Sequence, residues 1–252
     1  MNELILALVI SVGINIIMFI PAFIFKTDKL TDISYAITFA VVAITSFFSK
    51  QFQIPSLILL FMVLAWAFRL GTYLFVRIQK TGRDKRFDGM RENFFKFGRF
   101  WLLQGITVSI ILIPSSLFFG LKHENFSLLS ILGLVIWIFG LTVETIADYQ
   151  KFKFTQDPRN KGKWIEIGIW KYSRHPNYLV EIMNWLGIYI FTLSGLTPIR
   201  SAIGFISPLY IAVLIIFVSG IPLLEKSADK KWGDIKKYQE YKKKVGVLIP
   251  HL

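Results

Sequence analysis

Residues 164–185 read WIEIGIWKYSRHPNYLVEIMNW. The stretch opens as a polar, basic loop with a turn at Gly168 and Trp170. It passes through Ser173, Arg174, His175, Pro176, Asn177 and Tyr178, and enters an apolar run that still carries Glu181 and Trp185. Pro176 suits the first turn of a helix, where its missing N–H costs nothing. At 3.6 residues per turn, Asn177, Glu181 and Trp185 share one face and Tyr178 lies just off it. Asn177 supplies two donors and an acceptor, and Glu181 supplies a carboxylate. Glu181 reads either as half of an interhelical ion pair or as a group that positions a cofactor ring or amide. The free N–H groups of the first turn, with Arg174 and His175 just before it, form a natural phosphate or carboxylate site.

Around this stretch the chain is apolar. Of its 252 residues 54% are hydrophobic, which excludes an ordinary soluble domain and predicts an all-α, polytopic integral membrane protein. Apolar runs of spanning length cover residues 4–25, 33–49, 55–78, 100–120, 126–147, 178–196 and 202–224, which predicts seven transmembrane helices. The first lacks the basic flank and small-residue cleavage site of a signal peptide and reads as a retained helix. The segments between the runs alternate in charge. One side carries 24 of the 29 Lys and Arg, and the other carries 3, namely Lys50, Lys122 and Arg200. The positive-inside rule then puts the N-terminus outside and the C-terminus in the cytosol, with both long basic loops and the tail facing the cytosol. One membrane domain over 1–252 is expected, with substrate-side helices in 1–125 and a cofactor-binding half in 126–252. The net charge of +13 is read as cytosolic loops meeting anionic lipid and not as a nucleic-acid surface. No cysteine is present, and the three histidines (His123, His175, His251) are far apart, so no metal site is expected.

Charged groups within spans cost about 2.5–3.5 kcal/mol each on insertion scales and face the bundle interior. Arg69, Tyr73 and Arg77 follow at i, i+4, i+8 on one helix face. Arg77 can snorkel to the surface, whereas Arg69, two turns deeper, is either functional or a structural partner for an acid. Gln104 reads as a helix–helix hydrogen bond. Glu144 and Asp148 are again i, i+4, followed by Gln150 and Lys151, beside the long basic loop. The tail from Glu225-Lys226 through Tyr238 and Tyr241 to Pro250 alternates Tyr and Lys at helical spacing, as a basic amphipathic helix on anionic lipid does. No GxGxxG, P-loop or GxSxG occurs, so a bound nucleotide has to sit among helices and basic loops.

With these residues in view, GIWKYSRHPNYLVEIMNW, the helix end Ala147-Asp148-Tyr149-Gln150-Lys151 before it, and Leu224-Glu225-Lys226 with the Tyr/Pro tail after it resemble the C-terminal domain of the steroid 5-alpha reductase family, its bacterial members above all. The loop Gly82-Arg83-Asp84-Lys85-Arg86-Phe87 agrees with it. The resemblance implies an NADPH-dependent reductase in a bacterial cytoplasmic membrane, acting on the α,β-unsaturated carbonyl of a steroid-like or other lipid. It implies cofactor contacts at Asp148, Lys151, Arg174, His175, Asn177, Tyr178, Glu181, Trp185 and Lys226. Lys226 stands where many relatives have Arg, so the bidentate fork is lost. The animal enzymes carry a Gln-Glu pair early in the second helix. Here that region reads Thr31-Asp32-Ile33-Ser34-Tyr35, so Asp32, with Arg69 and Tyr73, stands in for the carbonyl-activating groups. Isoprenylcysteine carboxyl methyltransferases, which bind S-adenosylmethionine, share an Arg-His-Pro-x-Tyr stretch, and sterol C14 reductases share Arg-His-x-Asn-Tyr. A methyltransferase and a non-enzymatic lipid-binding protein therefore stand as alternatives.

Overall fold

The computed structural model describes residues 3–49, 52–82, 84–121 and 126–249. Lys50, Arg83, Lys122, His123, Pro250 and His251 lie outside them. The chain is all-helical, about 80% helix, with no strand among the described residues. Its helices are α1 (Glu3–Ile24), α2 (Lys29–Phe48), α3 (Ile54–Thr81), α4 (Phe94–Ile111), α5 (Ile113–Phe119), α6 (Leu128–Gln156), α7 (Pro176–Thr192), α8 (Pro198–Gly204), α9 (Ile206–Val213), α10 (Ile221–Trp232) and α11 (Lys236–Lys244).

Each of the seven apolar runs is helical, but five of the helical stretches are by themselves long and apolar enough to cross a membrane. A sixth span results if α4 and α5, bent by 53°, count as one. The bend has a local cause. Pro114 stands in the first turn of α5 and has no N–H to offer the Ile110 carbonyl one turn back, and at the break the Ile111 carbonyl accepts the Ser207 hydroxyl at 2.6 Å. At the sixth apolar run, α7 has 17 residues, a length of about 25 Å against a hydrocarbon core of about 30 Å. It starts at Pro176, just ahead of the apolar run, and ends at Thr192, before the run does. Membrane residence also follows from packing. Only 22% of the apolar window of α1 is buried, and Ile5, Val9, Ile17, Ile20 and Ile24 are exposed. In water such a surface would be an aggregation liability; in a bilayer it is solvated.

The chain forms two compact units. One comprises the residues up to Leu134 with Ile188–Ser207; the other comprises Val135–Gly187 with the chain from Pro208 onward. In the first unit, α1, α2 and α4 are joined by a buried polar network. Gln104 donates to Asn15 Oδ1 (2.9 Å) and to the Thr31 carbonyl (3.1 Å), and Asn15 donates to Thr38 Oγ1 (3.2 Å). The helix–helix role read for Gln104 is thus the one it plays, with Asn15 as a partner that sequence reading passed over. A Cβ on Gly105 would lie 2.9 Å from Val12 Cα, so α1 and α4 approach as closely as glycine permits. The loop after α3 is tied down by an ion pair between Arg91 and Asp28 (2.7 Å), and Asp28 also accepts the Asp84 N–H (2.6 Å). Glu3 pairs with Arg200 at 3.2 Å.

The second unit holds the C-terminal part of α6, the N-terminal part of α7, the loop between them, and the chain from Pro208 in α9 through α11. After α9, a π-helical turn at Leu214–Val218 leads to Gly220, where a Cβ would meet the Ile215 carbonyl oxygen at 2.6 Å. Pro222 then stands in the first turn of α10, where the lost N–H has no cost.

Candidate functional site

The opening stretch is built against α6 and the tail, all within the second unit. Gly168 has φ +58, a left-handed turn at which a Cβ would collide with the Gln150 side chain. The close approach lets Gln150 accept the Ile169 N–H (3.1 Å) and lets Trp170 reach the Ala147 carbonyl with its indole N–H (3.1 Å). Lys151 stands over the buried Trp170 ring, 4.8 Å from its centroid. The loop is therefore pinned to the end of α6 before α7 begins.

Asp148, buried on α6, accepts a hydrogen bond from Asn177 Nδ2 at 3.2 Å. The amide thus turns Nδ2 to Asp148 and Oδ1 away from it. Asn177 Oδ1 is buried, with no hydrogen-bond partner among the described residues. One turn on, Glu181 accepts the Trp185 indole N–H at 3.0 Å, and Trp185 is fully buried. Two turns on, the buried Asn184 donates to the buried Glu144 at 2.7 Å. The α6–α7 seam is thus a ladder of carboxylate–carboxamide pairs. Asn184 was legible in the sequence, at i+7 from Asn177. Its pairing with Glu144 was not.

The basic rim is engaged with the tail. Arg174 pairs with Glu225 (3.0 Å) and donates to the carbonyls of Lys242 (3.0 Å) and Val245 (3.3 Å). His175 Nε2 meets Glu225 Oε1 at 2.8 Å, and its ring stacks on Tyr178. The main chain joins in, with Arg174 N bonding Gly246 O (2.9 Å), His175 N bonding Val247 O (3.1 Å), and Ser173 Oγ bonding Val247 O (3.2 Å). Arg174 and His175, read as an anion site, staple the tail to the entrance of α7. Lys226 is exposed on α10. Its neighbour Glu225 turns inward and is the hub of the cluster, taking Lys242 at 3.4 Å as well.

Burial pushes the His175 imidazole below its ordinary pKa, against the pull of the Glu225 carboxylate and with help from the Lys151 and Arg174 charges. The folded chain therefore holds His175 neutral. A depressed folded-state pKa contributes stability above the unfolded value of about 6.5, and that contribution is lost as pH falls through the folded value. Thermal stability is expected to drop on acidification below about pH 6.5, and His175→Gln is expected to flatten that part of the profile. An unchanged slope in the variant would remove His175 from the linkage. Burial also lifts the Tyr241 hydroxyl to about 12, so it stays protonated and donates to the carbonyls of Ile165 (3.4 Å) and Trp170 (3.3 Å).

In the other unit, Asp32 on α2 pairs with Arg77 on α3 at 3.2 Å, and the Arg77 guanidinium lies 5.9 Å from the centre of the Tyr73 ring. Arg69 stands two turns before Arg77 on α3, half-buried.

A family profile described as a protein of unknown function (DUF1295) matches residues 18–245. The chain belongs to this family. The match runs from α1 to Val245, where the stapled part of the tail begins, so it takes in both units and every residue of the α6–α7 seam. An uncharacterized protein of Schizosaccharomyces pombe is 24% identical over 238 residues, covering 82% of this chain and 67% of that protein. No solved structure matches the chain.

Proposed function

We propose that this DUF1295 protein is a membrane-embedded, NADPH-dependent reductase of an α,β-unsaturated carbonyl in a lipid-like substrate. The carrying observation is the Asn177 carboxamide, clamped by Asp148 with its carbonyl oxygen buried and directed away. That oxygen is a preorganised acceptor for an N–H donor such as a carboxamide. A buried acceptor costs about 1–3 kcal/mol until it is bonded, so ligand binding at Asn177 is favoured by relief of that cost. The reading is further supported by the likeness of Asn177-Tyr178-x-x-Glu181 to the steroid 5-alpha reductase family.

The residues divide the work as follows. Asp148 fixes the Asn177 amide. Trp185 holds Glu181 in one rotamer, so the face offers acceptors at defined positions. NADPH, when bound, would supply hydride to the β carbon. Asp32, Arg69 and Tyr73 are proposed to polarise the carbonyl, which hydride addition requires. Arg174 and His175 act through the tail, positioning the loop, and Lys226 is left to the solvent side. Seven spans with a cytosolic C-terminus, in a bacterial cytoplasmic membrane, are proposed from the charge count, with α7 as the short member.

Binding to the purified full chain tests the reading. NADPH is expected to bind, with Asn177→Ala about 10- to 100-fold weaker and Asn177→Asp weaker still, because it sets a second carboxylate beside Asp148. If neither NADPH nor NADP+ binds and S-adenosylmethionine does, the reductase reading gives way to the methyltransferase. Binding of none of the three, with lipid retained, would leave a lipid-binding protein.

A further inference from the structure

The tail carries a surface that the reductase reading does not use. Three residues separate α10 from α11, so α11 starts within about 14 Å of the end of a membrane-length helical run. It is held there rigidly. Tyr238 is buried among Trp164, Trp232 and Tyr241, with ring centroids 5.1–6.1 Å away, and Val245 to Val247 are bonded to the loop before α7. The outward side of α11 is basic: Lys236, Lys237, Lys243 and Lys244 are exposed, as are Lys230 and Lys231 on α10. Exposed apolar groups sit beside them, Ile235 at 43% and Ile167 at 55%.

Between the 166–171 loop and α11 is a cavity of about 320 Å³ lined by Glu166, Lys171, Lys237, Glu240, Tyr241 and Lys244. Lys237 is committed to Glu166 at 3.0 Å. Lys171 and Lys244 come from opposite walls, and Lys171 has its ammonium 4.7 Å from the centre of the neighbouring Tyr172 ring. With Lys237 paired to Glu166, Lys171 and Lys244 outnumber the remaining carboxylate, Glu240, so the lining keeps a net positive charge, and a phosphodiester is of the right size and charge to meet it. We propose that this cavity holds the phosphate headgroup of an anionic lipid from the surrounding bilayer, with Lys171 and Lys244 as its ligands and the remaining α10–α11 lysines gathering such lipids around it. Each lysine near an anionic surface contributes roughly a fivefold gain in affinity. Because α11 is stapled to the entrance of α7, a filled cavity also holds the candidate site's loop in place.

The test uses the full chain in a neutral detergent, titrated with short-chain phosphatidylglycerol, with hydrogen exchange of residues 236–247 as the readout. Phosphatidylglycerol is expected to slow exchange saturably, and phosphatidylcholine is not. Lys171→Gln with Lys244→Gln is expected to raise the half-saturating concentration about 30-fold. Both side chains are exposed, so the thermal stability of that variant should match the parent and show that it folds. The Lys230→Gln, Lys231→Gln variant should lose less than the cavity pair. Two results would overturn the proposal: equal slowing by both lipids, or slowing by inorganic phosphate alone at the same concentrations, which would make the ligand a soluble phosphate. Neither readout involves NADPH or catalysis, so the proposal and the reductase reading fail separately.

Discussion

Arg174→Ala is expected to release the tail. The guanidinium of Arg174 is 10% exposed and makes three contacts at once, with Glu225 and with the carbonyls of Lys242 and Val245. Removing it leaves Glu225 without its strongest cation and two carbonyls without a donor. Breaking a buried pair by deleting one partner costs about 3–5 kcal/mol. Glu225 keeps some water and keeps Lys242, so a loss of about 2–3 kcal/mol is expected here, or roughly 5–10 °C in Tm for a chain of this size. The effect should be local first: trypsin should cut at Lys242 to Lys244 in the variant under conditions in which the parent resists. Arg174→Lys keeps the charge but cannot serve Glu225 and the carbonyls together, so it should fall between the two. Glu225→Gln should resemble Arg174→Lys, because the carbonyl bonds survive. Protection of the tail at parental levels in Arg174→Ala would mean that the backbone pairing alone holds it and would restore Arg174 as a free cation for a ligand.

The second large effect is expected at Gly140. A Cβ there would lie 2.2 Å from Asn184 Oδ1 and 3.2 Å from the Val180 carbonyl oxygen, on the face where α6 and α7 meet. Asn184 is fully buried and cannot swing aside without breaking its 2.7 Å bond to Glu144. Gly140→Ala therefore combines overpacking, about 1–3 kcal/mol, with a strained or lost bond to a carboxylate, about 1.5–3 kcal/mol. A total near 3 kcal/mol is expected, although alanine is the better helix former in isolation. The double-mutant cycle isolates the cause. In an Asn184→Ala background the added methyl meets only the Val180 carbonyl, so Gly140→Ala should cost much less there. Equal costs in both backgrounds would rule out the clash. Because the seam also carries Asp148 and Asn177, Gly140→Ala should weaken NADPH binding along with stability if the proposed function holds.

These two positions also mark how far sequence reading reaches. The helical class, the start of α7 at Pro176, the shared face of Asn177, Glu181 and Trp185, and the helix–helix use of Gln104 were all legible. They depend on composition, on 3.6-residue periodicity, and on the chemistry of single side chains in an apolar setting. The sixth apolar run misled on length, since hydropathy continues past Thr192 while the helix does not. The bend at Pro114 was legible in principle, but the hydroxyl that bonds the Ile111 carbonyl there, Ser207, is 96 residues from Ile111.

What only the tertiary structure decided is who pairs with whom. Arg174 and His175 stand beside a helix N-terminus and on local grounds read as an anion site. Their partners are a carboxylate 50 residues from His175 and a carbonyl 68 residues from Arg174, and no periodicity announces a contact at that separation. The same holds for Asn177, whose residue type and helix face are sequence properties. That its amide nitrogen is taken by Asp148, leaving a buried carbonyl oxygen, depends on two helices being brought together at one register. Residue types and their spacing thus determined that this stretch carries polar groups into a membrane helix. Long-range pairing decided which of those groups are bonded within the fold and which atom, Asn177 Oδ1, is buried without a partner.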